Sequence, residues 1–220
     1  NIWKFSSDLD ILVVNDGSSD QTANIVEKLG VKLISLSNNL GYGAALQTGF
    51  LYAKQKGYNT VIQMDADGQH DPAYISEMLK VIQNADVDVV IGSRFLKDNS
   101  YKTTVSKKLG MVLFGLLTSL ITRIKITDPT SGFQVLKGDV IDFMSQDLYP
   151  PDYPDADMII LLHRAGFKIK EVPVKMKSNP KHAKSMHRGH KTIYYVLKML
   201  LSIIVTLLRV KPKRRNTNAA

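Results

Sequence analysis

The 220-residue chain is 44% hydrophobic and has no cysteine, which suits one domain, or one domain with an appendage, and excludes a disulfide framework or a thiolate metal site. Its net charge of +9 is unevenly divided: residues 1–167 carry 15 Lys/Arg against 19 Asp/Glu, and residues 168–220 carry 14 Lys/Arg against Glu171 alone. A basic tail on an acidic body calls for an anionic partner, either a nucleic acid or an anionic membrane.

In chain order, Asp10 to Val14 is a short β-branched run that reads as a buried strand. Asn15 to Asp20 is a turn with helix-capping chemistry, and the helix from Thr22 to Leu29 stops at Gly30. A second strand is expected at Val31 to Ser35, then a glycine-containing loop from Asn38 to Gly43 and a helix from Ala44 to Gln55. Thr60 to Met64 reads as the third strand, and a helix from Pro72 to Gln83 opens with proline in its first turn. Val87 to Ile91 is the fourth strand, closed by Gly92-Ser93-Arg94. Beyond it come an apolar helix at Leu109 to Ile121, a tight turn at 128–134 and a strand at Phe133 to Leu136. A helix is expected from Asp155 to Ala165 and a strand from Ile169 to Met176.

Strands alternating with helices indicate an α/β fold with a mostly parallel central sheet flanked by helices. Such sheets bind ligands beyond the carboxyl ends of their strands. Asp16, Asn38/Asn39, Asp65/Asp67 and Ser93/Arg94 all follow strands and can converge on one edge. Among them, Asp65-Ala66-Asp67 places two carboxylates two residues apart, where like charges repel. A hard divalent cation, Mg²⁺ or Mn²⁺, removes that cost and can hold a diphosphate, and Gln69 on the same turn completes the ligand set. The plainer alternative is that both aspartates only shape the turn and cap the helix at Pro72.

The ordered set of Val13-Val14-Asn15-Asp16-Gly17-Ser18-Ser19-Asp20, Asn39-Leu40-Gly41-Tyr42-Gly43-Ala44, Asp65-Ala66-Asp67, Gly92-Ser93-Arg94, Asp128 to Gln134 and Glu171-Val172-Pro173-Val174 resembles the family 2 glycosyltransferases, which have the GT-A fold. The branch it is most similar to contains the polyprenyl- and dolichyl-phosphate sugar transferases. The resemblance covers residues 10–176. It implies that Asp16, Gly17, Ser18, Asn39, Gly41, Gly43, Asp65, Ala66 and Arg94 bind a nucleotide sugar, and that Asp65, Asp67 and Gln69 hold the metal. Members normally open with a strand ending in a Pro-x-Tyr-Asn-Glu-like segment, which this sequence lacks, so residues 1–176 are expected to form a GT-A catalytic domain without its first strand. The family's acceptor-side acid corresponds to Asp155-Ala156-Asp157. Asp157 is the first choice for the general base of an inverting transfer and Asp155 the second, with helix capping as the alternative role. Ser131 and Gln134, with Lys184 and Arg188 of a basic loop at 177–191, are expected to meet the acceptor or its phosphates.

Residues 192–220 are expected to form an amphipathic helix and basic tail. Lys198, Ser202 and Thr206 make a narrow polar stripe on a mostly apolar helix, and Lys211, Lys213, Arg214 and Arg215 follow. The uncharged run Met199 to Leu208 is too short for a bilayer, which needs ~20 apolar residues, so the helix is expected to lie on an anionic membrane surface, with a core or dimer helix as the alternative. Without a recognition motif or interleaved aromatics, nucleic acid is the poorer fit. The expectation is a metal-dependent inverting glycosyltransferase, peripheral on the cytoplasmic face of the cell membrane. It moves a sugar from a nucleotide-diphosphate donor to a lipid-linked or cell-envelope polysaccharide acceptor. A homo-oligomer is left open. The alternatives are a nucleotidyltransferase-like enzyme and a non-catalytic membrane scaffold that keeps the fold.

Overall fold

The computed structural model describes residues 2–5, 8–97, 105–146, 149, 154–177, 190–212 and 214. Its strands are β1 (Leu12–Asn15), β2 (Lys32–Ser35), β3 (Thr60–Gln63), β4 (Val89–Ser93), β5 (Gln134–Lys137) and β6 (Ile169–Pro173). Its α-helices are α1 (Thr22–Lys28), α2 (Tyr42–Gln55), α3 (Ile75–Asn84), α4 (Val105–Thr122), α5 (Gly138–Met144), α6 (Ala156–Ala165) and α7 (His190–Leu208). The helix expected at Pro72 opens as a 3-10 turn, Pro72–Tyr74, capped by the Asp71 carboxylate on the Ala73 N–H at 3.0 Å.

β3, β5, β4 and β6 form one sheet in that order, and β1 and β2 pair as a separate parallel ribbon. β3, β4 and β6 run the same way, as the alternation of strands and helices predicts. β5 runs against them, antiparallel to both β3 and β4. The sheet is therefore mixed. The reversal has a consequence for the site: Gln134 at the start of β5 pairs with Gln63 at the end of β3 and Ile91 near the end of β4, so the 127–133 turn arrives at the carboxyl edge.

β4 is buried along its whole length because helices cover both faces of the sheet. Val89 and Ile91 pack with Phe50 of α2, Val140 of α5 and Leu162 of α6, while Val90 packs with Met78 and Ile82 of α3. A third cluster joins α4, α6 and α7 through Phe114, Ile160, Met199 and Ile203. β1 behaves differently from its sequence. Its apolar residues Leu12, Val13 and Val14 are only half-buried, because a slot separates them from β3, and both strands line it.

The tail also departs from expectation. Arg214 does not project free of the body: it bonds Asp139 at 2.8 Å and Asp88 at 3.2 Å, and its guanidinium lies over the Phe167 ring. Asp88 immediately precedes β4, so this contact lies at the edge opposite the strands' carboxyl ends. Two buried or half-buried carboxylates outcompete solvent for the cation. Lys213 and Arg215 lie outside the described residues.

Candidate active site

A cavity of about 1440 Å³ runs from the slot between β1 and β3 to the carboxyl edge of the sheet. Asp16, Asn39, Gly41, Asp65, Ala66, Asp67, Gln69, Arg94 and Asp155 all line it, so most of the residues singled out in the sequence meet in one place. Gly17, Ser18 and Gly43 do not line it. Gly17 (φ +64°) instead lets two loops touch, since a Cβ there would stand 2.6 Å from the Asn38 carbonyl carbon and only glycine avoids that clash. Asp16 ties the same loops together, accepting the Leu40 and Gly41 N–H groups at 2.7 and 3.0 Å.

The Asp65–Asp67 turn is held from three sides. Tyr42 donates its hydroxyl to Asp65 Oδ1 at 2.9 Å. Desolvation and the facing carboxylate push the Tyr42 phenol upward, so it stays a donor. His70 accepts the Asp65 N–H at Nδ1, 3.0 Å away, and its ring stacks on Phe133 at 5.2 Å. Burial pushes the His70 imidazole below its usual range. The neutral ring therefore carries its proton on Nε2, 3.8 Å from Asp65 Oδ2. Gly132 completes the enclosure: a Cβ there would lie 2.8 Å from the Tyr42 hydroxyl and 3.1 Å from Asp65 Oδ2.

Asp67 is exposed and bonded to Gln69 through both the backbone N–H, at 2.9 Å, and the side-chain amide. Among the described residues, no group of three or more His, Asp or Glu side chains converges on a cation position. Two carboxylates on one turn, open to a large cavity, nevertheless fit a hard divalent cation that takes its other ligands from a diphosphate and water.

Arg94 lines the same cavity as this turn. Its guanidinium grips the fully buried Asp128 in a two-point bond, Nε to Oδ2 at 2.7 Å and Nη2 to Oδ1 at 2.6 Å, and also reaches Thr130 Oγ1 at 2.9 Å. Asp128 is fixed in turn by Glu171, whose carboxylate accepts the Asp128 N–H at 2.8 Å and the Thr127 N–H and hydroxyl. Burial pushes the Glu171 carboxyl upward, and these bonds oppose it. In the sequence Asp128 and Glu171 stand only as landmarks; in the fold they aim Arg94.

Asp155 and Asp157 separate clearly. Asp157 is 1% exposed, does not line the cavity, and bonds Ser202 of α7 and the Met158 N–H. Burial pushes its carboxyl upward. Asp155 lines the cavity and accepts the Tyr195 hydroxyl of α7 at 2.5 Å. Dense surrounding protein raises its carboxyl to about 7, with the Tyr195 bond opposing the rise and Asp157 adding to it. Of the two acids only Asp155 lines the cavity, because α6 starts at Ala156 and turns Asp157 inward.

Ser131 and Gln134 do not reach the cavity. The buried Ser131 hydroxyl donates to the Gly92 carbonyl at 2.6 Å, and the Gln134 amide to the Ser131 carbonyl at 2.9 Å. Both side chains bond backbone carbonyls, of β4 and of the turn respectively. Lys184 and Arg188 lie outside the described residues. Tyr195, which in the sequence merges with the apolar face of its helix, and Lys177 both line the cavity. A signal for Tyr195 existed: it stands seven residues before Ser202, hence on the same helix face.

A sequence profile of glycosyl transferase family 2 matches residues 4–144. The chain is 28% identical over 184 residues to a UDP-N-acetylglucosamine–dolichyl-phosphate N-acetylglucosaminyltransferase of Methanococcus voltae, covering 75% of this chain and 73% of that protein. It is 29% identical over 173 residues to an undecaprenyl-phosphate mannosyltransferase of Micrococcus luteus, covering 75% of this chain and 70% of that protein. The fold matches glucosyl-3-phosphoglycerate synthase of Mycobacterium tuberculosis, crystallised with Mn²⁺, UDP and glucosyl-3-phosphoglycerate, with a TM-score of 0.65 over 94% of this chain and 72% of that one at 17% identity. The architecture is therefore GT-A-like.

Proposed function

The chain belongs to glycosyl transferase family 2, and from that premise we propose that it transfers a sugar, with inversion, from a nucleotide-diphosphate donor to a polyprenyl-phosphate-type acceptor at a membrane face. The observation that carries this reading is a single cavity lined by the Asp65–Asp67 turn, Arg94 and Asp155 together. The cavity is also lined by Met111 and Phe114 of α4 and by Val196 of α7, apolar surface suited to a lipid chain, and Phe114 packs on Tyr195, the hydroxyl partner of Asp155. The names of the Methanococcus and Micrococcus relatives support the acceptor class.

Asp65, Asp67 and Gln69 would hold the divalent cation, which supplies charge neutralisation to the departing nucleoside diphosphate. Asp16 and the Asn39–Gly41 loop shape the nucleoside end of the cavity, with Asp16 fixing the loop through its two backbone bonds. Arg94, immobilised by Asp128, presents positive charge to the phosphates. An acceptor oxygen bonds the anomeric carbon as that carbon's bond to the diphosphate breaks on the opposite side. Asp155 takes the proton that a phosphate monoanion or hydroxyl brings. A carboxyl at about 7 is matched to that proton transfer near neutral pH.

Membrane association is supported by two outward apolar rows: Leu109, Leu116 and Leu120 on α4, and Leu197, Leu201 and Leu208 on α7. Among the described residues, no helix is long and apolar enough to cross a membrane. We assign the protein to the cytoplasmic face, and read the slot between β1 and β3 as the seat of one more extended strand. The deciding experiment is a panel of UDP- and GDP-sugars, screened for Mn²⁺-dependent thermal shift of the purified protein and then for transfer to undecaprenyl phosphate in micelles. A metal-dependent shift with one donor and transfer to the lipid is expected. Binding without transfer to any phosphate or hydroxyl acceptor would favour the scaffold reading, and no binding would sink the proposal.

A further inference from the structure

We propose that Tyr195, carried by α7, is a positioning residue for Asp155, so that the C-terminal helix completes the acceptor side of the site; this rests on the role given to Asp155 above. Two aspartates flank the start of α6, and each takes one hydroxyl from α7: Asp155 from Tyr195 and Asp157 from Ser202. The two links differ in where they lie. Asp155 and Tyr195 both line the cavity, whereas Asp157 and Ser202 do not.

Asp155 occupies the N-cap position of α6, where aspartate ordinarily bonds the first free N–H groups of a helix. Its side chain makes no such bond. Asp157 Oδ1 instead accepts the Asp155 and Met158 N–H groups, at 3.2 and 2.9 Å. Asp157 therefore does the local capping, and Asp155 is left to point at the cavity and at Tyr195. The tyrosine is itself well held. Its ring meets Phe114 of α4 edge-on at 6.1 Å, beside Met199 and Ile203 in the cluster that joins α4, α6 and α7.

Among the described residues, the groups facing Asp155 from outside α7 are Asp157 from its own helix, Arg94 after β4, Asp65 after β3, Tyr42 from α2, and Tyr149. Asp65 and Asp157 favour the protonated carboxyl and Arg94 the carboxylate. The Tyr195 hydroxyl is the direct donor, and it favours the carboxylate while fixing which oxygen remains turned to the cavity.

Three single variants of the full chain test this. Tyr195→Phe keeps the ring and its contact with Phe114 and removes only the donor. Ser202→Ala removes the other hydroxyl link between α7 and α6, so a general loosening of α7 appears in both variants. Asp155→Asn locates the infrared carboxylic C=O band of Asp155 by difference and needs no substrate. In Tyr195→Phe the midpoint of that band should rise by roughly one pH unit, with a loss of transfer of about ten-fold on the acid side and little change on the alkaline side. Ser202→Ala should lower the melting temperature and leave the midpoint in place. An unchanged midpoint in Tyr195→Phe, or an equal shift in Ser202→Ala, overturns the positioning role. If Asp155→Asn transfers sugar at the wild-type rate, the reading of Asp155 itself falls, and the inference falls with it.

Discussion

Gly132→Ala tests how the Asp65 turn is held. The new methyl would stand 2.8 Å from the Tyr42 hydroxyl oxygen and 3.1 Å from Asp65 Oδ2. A carbon–oxygen contact needs roughly half an ångström more than the first of these distances, so the hydroxyl must leave its 2.9 Å bond to Asp65. A hydrogen bond to a charged group contributes about 1.5–3 kcal/mol. The low end applies here, because the Asp65 side chain is 35% exposed and water can replace the lost donor. Against this, alanine lowers the entropy of the unfolded chain, a gain of about 0.4–1 kcal/mol where the backbone accommodates it. The expected net cost is about 1 kcal/mol, with a similar or larger cost for Tyr42→Phe. In the double variant the hydroxyl is already gone, so the methyl meets less resistance and the two costs should fall short of additivity by about 1 kcal/mol. Urea unfolding of the four proteins at constant m-value measures the cycle, and Mn²⁺–UDP titration of the same proteins reports whether the turn still binds. Additivity within about 0.3 kcal/mol would refute the claim that Tyr42 and Gly132 act on one carboxylate.

Three further outcomes follow from the geometry. Gly17→Ala and Gly30→Ala both place alanine at positive φ, but only the first meets backbone, at 2.6 Å, while the second has nothing within 4 Å. Gly30→Ala should cost about 1–2 kcal/mol, and Gly17→Ala should cost more in melting experiments and also weaken UDP-sugar binding; equal effects would remove the close approach as the reason for glycine. Arg94→Lys cannot keep the two-point grip on buried Asp128, so a stability loss of about 2 kcal/mol and a large drop in transfer are expected, whereas wild-type transfer by that variant would deny Arg94 its place at the phosphates. Leu197→Ser with Leu201→Ser, both on the outward face of α7, should leave the melting temperature within about a degree and weaken flotation with phosphatidylglycerol vesicles about ten-fold or more; unchanged flotation would remove α7 from the docking surface.

The part of the cavity built from strand ends is legible in the sequence. Once strands and helices alternate, the residues after β1, β3 and β4 must gather at one edge, whatever the details of packing. Asp16, Asp65, Asp67 and Arg94 follow from that rule and do line one cavity. The direction of β5 is not legible, because period-two alternation is the same for parallel and antiparallel strands. Nor are the partners of Ser131 and Gln134. A polar side chain in a turn has equal chemical reason to bind a substrate or a nearby carbonyl, and only the fold brings the Gly92 carbonyl within 2.6 Å of the Ser131 hydroxyl.

The part of the cavity around Asp155 is hidden for a related reason. Asp155 and Asp157 differ in placement through a single residue of register, since α6 begins between them at Ala156. The same ambiguity governs α7. Its periodicity marks an amphipathic helix, and a polar stripe on such a helix is expected to face water. In the structure Thr206 is buried, Ser202 turns to Asp157, and the leucines at 197, 201 and 208 face outward. Periodicity fixes which residues share a face but not what that face meets, and here the decisive partner is a carboxylate on α6. Burying Asp157 without a donor would be more costly than exposing leucine, because an unpartnered buried polar group loses its hydration outright. The polar stripe is therefore drawn inward by the acid, with Met199 and Ile203 buried beside it, and Leu197, Leu201 and Leu208 are left outward.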